Sequence, residues 1–269
     1  QTIVLYWAET ERKREQTMTH EPYLIEAPLA DTLVLLIHGI TGSPHQFDAL
    51  ARHLYAEGIS VQSLLLPGHG STAKAFAQSG RLEWERSVNR AVRHALLRYK
   101  NVVLVGHSMG CLLAINAYHT LPEKHAIRGL VLLAPPLRIH LTSECIRKNL
   151  KSAISRQAEE AAGEAYNSVE KDRALGYVRW LPRYMDVLKM ASKARRQIEG
   201  LRVPVLAVHS QGDEIVSIKS VQELQRRLPE TQVLMLPHST HFLYTEEDAQ
   251  LLRGQAAAFI GRCTAQTDA

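Results

Sequence analysis

The sequence reads NVVLV at residues 101–105, GHSMG at 106–110 and CLLAINA at 111–117. The first run predicts a β-strand buried on both faces, and the third predicts a helix that is apolar on all sides and therefore buried. The two glycines between them permit the close backbone approach of a sharp strand-to-helix turn. Such a turn leaves the hydroxyl of Ser108 exposed at a helix N-terminus, where developing negative charge is stabilised. The pattern therefore predicts that Ser108 is a nucleophile.

Outward from this stretch, short apolar runs alternate with helical patterns along most of the chain. Further runs that predict strands lie at 33–37, 59–66, 130–133, 203–208 and 232–236. Helices are indicated between them by apolar residues at helical spacing and by capping residues such as Ser43 and Thr245. Alternation of this kind is typical of a mostly parallel sheet with helices on both faces, so we predict an α/β fold.

The strand pattern is interrupted by a polar, basic and helix-favouring segment. We predict that residues 136–198 form a helical cap insertion in one α/β core, built from residues 1–135 and 199–269. Between Arg138 and Arg202 the chain has fourteen Lys and Arg against eight Asp and Glu, enough to account for the net charge of +5. This excess predicts either a solvated helical surface or a contact with an anionic substrate or an acidic membrane surface.

A serine hydroxyl needs a base within hydrogen-bond reach to act as a nucleophile near neutral pH. Two loops that follow predicted strands supply candidates, because the carboxyl ends of parallel strands meet at one edge of a sheet. Asp213 lies in the first loop, and we predict that it orients and stabilises the imidazole. His241 lies in the second, and we predict that it is the general base. Glu214 and His238 are neighbours that could take these roles instead.

A tetrahedral intermediate needs two backbone N–H groups aimed at its oxyanion. One is predicted to belong to Met109, the residue after the nucleophile, and the other to Ile40, in the loop after the strand at 33–37. In the same loop, His38 is interpreted as a structural histidine that holds the loop in shape. His69 and His107 are interpreted as structural or pocket-lining residues.

These motifs resemble those of the α/β-hydrolase superfamily along nearly the whole chain, in particular its bacterial carboxylesterase and monoacylglycerol-lipase branch. The matching features are HGITGSP at 38–44, LPGHG at 66–70, GHSMG at 106–110, Asp213 with Val216, and His241. The resemblance implies about eight mostly parallel strands, a cap over the pocket, and neither a metal nor an organic cofactor. It also implies hydrolysis of a carboxylic ester through an acyl-enzyme on Ser108.

The chain also departs from that branch at two places. In such enzymes the residue at the position of Ile40 is often aromatic, so a different acyl-side wall is expected here. The insertion at 136–198 is longer than the cap of the compact bacterial carboxylesterases, so their substrates do not carry over. Its aromatic and apolar residues, among them Tyr177, Trp180 and Met185, supply surface either for an acyl tunnel or for packing on the core.

Several activities are compatible with the same three residues. Thioesterases, acyltransferases and carbon–carbon bond hydrolases use such a triad, and a non-catalytic binding module on a hydrolase scaffold is a further alternative. The complete set of Ser108, Asp213 and His241 disfavours the binding module, because inactive relatives usually lack one of the three. We expect a small-molecule ester with an apolar acyl chain as the substrate.

The composition limits the remaining classes of partner and location. No apolar run is long enough to span a bilayer, and no nucleic-acid motif accompanies the basic segment. The three cysteines, Cys111, Cys145 and Cys263, are widely separated and odd in number, which favours a reducing, cytoplasmic location over a disulfide framework. A removed N-terminal anchor or signal, of which Ile3 to Trp7 would be the remainder, stays an alternative.

Overall fold

The computed structural model describes residues 20–140, 167–170 and 176–265. The strands in these ranges are β1 (Tyr23–Ile25), β2 (Thr32–Ile37), β3 (Ser60–Ser63), β4 (Asn101–His107), β5 (Ile127–Leu133), β6 (Val205–Ser210) and β7 (Gln232–Leu236). The α-helices are α1 (Asp48–Ala56), α2 (Ala73–Gln78), α3 (Arg81–Arg98), α4 (Met109–Thr120), α5 (Leu181–Gln197), α6 (Lys219–Arg227) and α7 (Glu246–Ala265). Short 3-10 helices lie at Pro44–Phe47, Lys124–Ala126, Gly176–Trp180 and Ile198–Gly200.

The strands form one sheet in the order β1-β3-β2-β4-β5-β6-β7. β1 runs antiparallel to β3, and every other neighbouring pair is parallel. The described residues therefore confirm the predicted α/β fold, with seven strands where the resemblance implied about eight. The strand predicted at 59–66 is shorter than expected, because the N–H of Leu66 donates to the ring of His38 (3.0 Å) instead of to a neighbouring strand.

Both faces of the sheet are covered by helices, which explains why the central strands are apolar throughout. On β2, Leu33, Leu35 and Ile37 pack in one core, and Val34 and Leu36 pack in the other. The first core also holds apolar residues of α3, α4, α5 and α6, and the second holds those of α1 and α7. The helix α4 is buried on all sides, as its all-apolar sequence predicts.

Helix α5 is the longest described element of the predicted insertion, of which the structure describes residues 136–140, 167–170 and 176–198. It packs against α3 and α4 and buries Val187, Met190, Ala191 and Ala194. The proposed boundaries at 136 and 198 stay a prediction, because much of the segment, including Cys145, lies outside the described residues, as does the stretch from Ile3 to Trp7. No helix in the described ranges is long and apolar enough to cross a membrane.

The N-terminus of α4 lies against the end of β2, with backbone touching backbone. A Cβ atom at Gly110 would stand 2.0 Å from the carbonyl oxygen of Ile37 and 2.9 Å from that of His38. Both neighbours are backbone atoms, so neither can rotate aside as a flexible side chain would. Glycine at this position is therefore a condition for joining α4 to the sheet.

We predict that Gly110→Ala lowers the free energy of unfolding by about 3 kcal/mol or more, because the added methyl group overlaps the backbone of β2. Gly254→Ala is the matched control, since a Cβ at that exposed position in α7 meets no atom within 4 Å. That control is expected to stabilise the protein by about 1 kcal/mol through helix propensity. Urea unfolding of both variants measures the difference. Equal stability of the two variants would contradict the contact described here.

Candidate active site

The loops that carry the predicted site residues lie at one edge of the sheet. Strands β2, β4, β6 and β7 are all parallel members of the sheet, so their carboxyl ends point the same way. The loop with Ile40 follows β2, and Ser108 follows β4. Asp213 follows β6, and His241 follows β7. This is the edge at which ligands bind in open α/β sheets.

Ser108 joins β4 to α4 in a strained conformation, with φ of +50° and ψ of −119°. Residues other than glycine rarely adopt this region, and they do so mainly at functional sites where the surroundings hold them. Here the Ser108 N–H donates to the carbonyl of Leu133 (2.8 Å), and its carbonyl accepts from the N–H of Cys111 (2.9 Å). A Cβ at Gly39 would lie 3.1 Å from the Cβ of Ser108, so the loop after β2 passes beside the serine.

His241 and Asp213 form a buried pair. Nδ1 of His241 lies 2.8 Å from Oδ2 of Asp213, and the two side chains are 1% and 0% exposed. The other carboxylate oxygen, Oδ1, accepts from the backbone N–H groups of Ile215 (2.9 Å) and Val216 (2.7 Å). Both oxygens of Asp213 are therefore held, and the orientation of the imidazole is fixed through its Nδ1.

The protonation states of this pair follow from its contacts. Burial raises the pKa of Asp213, but the hydrogen bond and the charge of His241, with the N–H groups of Val216 and Ile215, outweigh it. The pKa of Asp213 therefore lies below its ordinary value, and the carboxylate is ionised at neutral pH. An ionised carboxylate only accepts hydrogen bonds, so Nδ1 of His241 carries the proton. Its Nε2 is then left to accept a proton, as a general base must.

The two alternatives of the sequence analysis make different contacts from the Asp213–His241 pair. His238 is exposed, and it is bound through its backbone N–H to Asp248 (2.8 Å). The carboxylate of Glu214 accepts from the backbone N–H of His241 (3.2 Å), so it contacts the main chain of that residue. The structure thus brings Asp213 and His241 together as side chains, and places Glu214 beside them.

The loop after β2 contributes the second predicted oxyanion donor. Ile40 lies in a tight turn in which the N–H of Gly42 donates to the carbonyl of Gly39 (3.1 Å). Met109 is the first residue of α4, where backbone N–H groups have no partner inside the helix. Neither the N–H of Ile40 nor that of Met109 has an acceptor in the part of the chain that the structure describes.

Two of the buried histidines, His38 and His69, hold loops in place. His38 lies with Nδ1 2.8 Å from the carbonyl of Gly39, and its Nε2 accepts the Leu66 N–H. The ring of His69 contacts that of His38 at 4.7 Å between centroids, and its Nδ1 lies 3.2 Å from the carbonyl of Pro67. Both residues thus join the loop after β2 to the loop after β3, in keeping with the structural role predicted for them.

His107 connects the turn that carries Ser108 to the loop that carries His241. Its Nε2 lies 3.1 Å from the carbonyl oxygen of His241, and the two rings are 5.0 Å apart between centroids. Burial, together with the nearby charge of His241, lowers the pKa of His107 to about 3. The ring is therefore neutral, and it holds the backbone of His241 in place. Because Ser108 is the next residue in the chain, this contact links Ser108 to His241.

Asp248 is a site-supporting residue that the sequence analysis missed. The buried Oδ2 of this α7 residue accepts from the hydroxyl of Ser239 (2.6 Å) and from the N–H of His238. The carbonyl of Ser239 in turn accepts from the N–H of Gly212 (3.1 Å), so the loops of Asp213 and His241 are fastened together. A signal was present, because Asp248 lies three residues after the cap Thr245, as in a capping box.

The described residues were also compared with what a metal ion requires. Within the described ranges, no group of three or more His, Cys, Asp or Glu side chains could hold a metal ion. The acid and base of the site contact each other and the backbone. What the arrangement can do is activate a serine hydroxyl and stabilise an oxyanion.

Residues 29–248 match the family described as serine aminopeptidase, S33 (Hydrolase_4). The chain belongs to this family. It is a family of α/β-hydrolases that act through a serine, so the match confirms the resemblance drawn from the motifs. It spans most of the chain, from the residues before β2 to the first turn of α7.

Individual relatives are distant in sequence but cover nearly the whole chain. A carboxylesterase of Bacillus subtilis (strain 168) is 19% identical over 252 residues, which is 91% of this chain and 98% of that protein. A structure reported for LipS and LipT, two metagenome-derived lipolytic enzymes, has a TM-score of 0.73 at 21% identity and covers 91% and 98% of the two chains. A soluble variant of monoglyceride lipase from Saccharomyces cerevisiae, in complex with a substrate analogue, has a TM-score of 0.69 at 19% identity and covers 93% and 97%. At these identities the structural likeness shows the fold.

We predict that the free energy of unfolding of this protein decreases as the pH falls from 6.5 towards 4. Burial lowers the pKa of His69 to about 4, although its hydrogen bonds to backbone oxygens raise it. Burial and the neighbouring His69 also lower the pKa of His38 well below its ordinary value. In this window the unfolded chain binds more protons than the folded protein, so acid favours unfolding, by about 2 kcal/mol per such histidine at pH 5.

Thermal unfolding measured between pH 7.5 and 4.5 checks this dependence. His69→Gln removes one titrating group and is expected to flatten the fall of Tm with acid. His94→Gln, at an exposed position in α3, is the control and is expected to leave the slope as it is. Identical slopes in the wild type and both variants would show that folding does not lower the pKa of His69, and would contradict the prediction.

Proposed function

We propose that this chain hydrolyses carboxylic esters through a covalent acyl-enzyme on Ser108, with His241 as general base and Asp213 as the residue that orients it. The observation that carries the proposal is the buried 2.8 Å contact between His241 and Asp213, at the sheet edge where Ser108 stands in a strained turn. A serine at such a turn, followed in sequence by the acid and then the histidine, is the order of the α/β-hydrolase triad.

The reaction follows from this geometry. Nε2 of His241 takes the hydroxyl proton of Ser108 as its Oγ bonds to the ester carbonyl carbon. The negative charge on the carbonyl oxygen is stabilised by the N–H groups of Ile40 and Met109. The bond to the alcohol then breaks, and the alcohol leaves with the proton from His241. Water, deprotonated by the same histidine, attacks the acyl group, and the acid departs as Ser108 regains its proton.

Similarity to known ester hydrolases favours an ester over the other substrates of such triads. The Bacillus subtilis protein is a carboxylesterase, and the yeast structure is that of a monoglyceride lipase. The family description names an aminopeptidase, so an amide substrate belongs in the same test. Thioesters, acyl transfer and carbon–carbon cleavage use the same residues, and no residue of the described site favours any of them over ester hydrolysis.

We further propose that the substrate has an apolar acyl chain and is met at a lipid surface or aggregate. Large apolar side chains of α5 are exposed, with Leu181 at 59% and Met185 at 46%. Exposed cations accompany them on the same segment at Arg179, Lys189 and Arg196. Apolar and cationic side chains together are what attracts a protein to an anionic lipid surface.

A location in a reducing compartment, such as the cytoplasm, is proposed from the cysteines. Cys111 and Cys263 are both free and buried. Burial raises the pKa of the Cys111 thiol well above its ordinary value and that of Cys263 to about 11. Thiols of this kind are inert and stay reduced without a partner, which supports the proposal.

We predict that Ser108→Ala lowers kcat for p-nitrophenyl esters by about 10⁴-fold or more, because the nucleophile is lost. The measurement compares esters from acetate to palmitate with aminoacyl p-nitroanilides, and it includes labelling by a fluorophosphonate. Ser79→Ala is the control, since Ser79 is buried and bonded to the backbone carbonyl of Phe76, as a structural serine is. If only the anilides are hydrolysed, the substrate is an amide and not an ester. If the wild type shows no turnover and no labelling, the protein is a binding module.

We predict that replacing Leu181 and Met185 with Glu raises KM about 10-fold for a long-chain ester in aggregates, since roughly 1.5 kcal/mol of apolar contact is lost. Hydrolysis of the dissolved acetate ester is expected to be unchanged. Leu97→Glu is the control, because Leu97 is 84% exposed in the last turn of α3, the end of that helix that leads to β4. Equal effects on the short and the long ester would contradict contact with a lipid surface.

A further inference from the structure

The turn that presents Ile40 is strained. In the turn from Gly39 to Gly42, Thr41 has φ of +56°. The third residue of a turn with positive φ at that place is ordinarily Gly or Asn, because a side chain branched at Cβ collides with the backbone there. A threonine holds this conformation only where its surroundings impose it.

Ser168 supplies much of that restraint. Its N–H donates to the carbonyl of Thr41 (2.8 Å), and its hydroxyl donates to the carbonyl of Gly42 (2.5 Å). Two successive carbonyls of the strained turn are therefore bound by one residue. The side chain of Ser168 is 4% exposed, so water does not compete for these bonds.

The same hydroxyl reaches a second loop. The oxygen of Ser168 accepts from the N–H of Gly70 (3.1 Å), and the N–H of Glu170 donates to the carbonyl of Ser71 (3.1 Å). Val169, between them, forms a β-bridge with Ser71. The short segment 167–170 thus lies between the loop after β2 and the loop after β3, and binds both.

We propose that Ser168 is a positioning residue for the oxyanion hole, and that the chain between β5 and β6 thereby builds part of the catalytic site. The inference rests on the proposed ester hydrolysis and on the role of Ile40 within it. If Thr41 relaxed to a negative φ, the peptide unit between Ile40 and Thr41 would rotate and the backbone of Ile40 would have to readjust. The adjoining peptide unit, which carries the N–H of Ile40, would then be displaced from its direction. Oxyanion donors act only within a few tenths of an ångström of their place.

The first experiment separates kcat from KM. Ser168→Ala is expected to lower kcat for p-nitrophenyl acetate by about 10- to 100-fold, with KM within about twofold, because the interaction acts in the transition state. Affinity for butylboronic acid, which forms a tetrahedral adduct on a serine, should fall by the same factor. Ser168→Thr, which keeps the hydroxyl, is expected to restore most of the activity. A rise in KM alone, with kcat unchanged, would overturn the proposal.

The second experiment uses the strain itself. Glycine adopts positive φ without strain, so Thr41→Gly makes the turn less dependent on Ser168. The loss caused by Ser168→Ala should therefore be smaller in the Thr41→Gly background than in the wild type. The same fold-change in both backgrounds would overturn the link between Ser168 and the turn. If Ser168→Ala alone fails to fold, Ser168→Cys, which keeps a side chain of similar shape with only a weak donor, takes its place in both backgrounds.

Ser60→Ala is the matched control. Ser60 is 1% exposed and accepts from the N–H of Ala27 (3.1 Å), at the opposite end of β3 from the site. It should lower Tm without changing kcat or boronate affinity. If the wild type hydrolyses no ester, the proposed function fails, and boronate affinity still measures the effect of Ser168. If esters are hydrolysed through Ser108 and the Ser168 variants match the wild type, only the present inference fails.

Discussion

The site depends on a backbone contact between the N-terminus of α4 and the end of β2. With no side chain at Gly110, the helix approaches the carbonyl of Ile37 so closely that the chain must turn sharply between β4 and α4. The turn gives Ser108 its positive φ, and it brings the loop after β2 alongside. Ser108, the N-terminus of α4 and the loop that carries Ile40 are therefore placed by one packing constraint, and not by three separate ones.

The partners of the buried histidines distinguish the proposed general base, His241, from the others. His38, His69 and His107 are bonded to backbone groups, and their pKa values are lowered chiefly by burial. They remain neutral and hold loops in register. His241 is different because an ionised carboxylate lies 2.8 Å from its Nδ1 and would stabilise the imidazolium of the proposed reaction. Histidines of one edge of the sheet thus take different roles because their partners differ.

Local patterns were enough to predict the fold and the contact between Asp213 and His241. The buried strands, the apolar helix α4 and the pairing of Asp213 with His241 all follow from periodicity and from the order of motifs along the chain. The antiparallel edge strand β1 was missed, because three residues are too few to show a period. The roles of the paired residues and the ends of the insertion stay predictions.

Long-range hydrogen bonds were beyond the reach of the sequence. Ser168 binds Gly42, 126 positions before it, and a lone serine in a polar segment carries no sign of such a partner. Asp248 was closer to prediction, because its spacing from Thr245 is that of a helix cap. Even so, the cap pattern explains only its backbone contact with Thr245, and the bond to Ser239 emerges from the folded loop.

Because Ser108 has a positive φ, the residue that would be most stable at this position is not the one that the proposed activity needs. Glycine would accept this conformation freely, so the residue that suits the backbone best is one that cannot attack a carbonyl. A population of variants selected for heat resistance alone would therefore drift towards an inert scaffold at this position. Only a screen that also demands turnover would retain the serine, and engineering of this hydrolase has to find its added stability elsewhere in the chain.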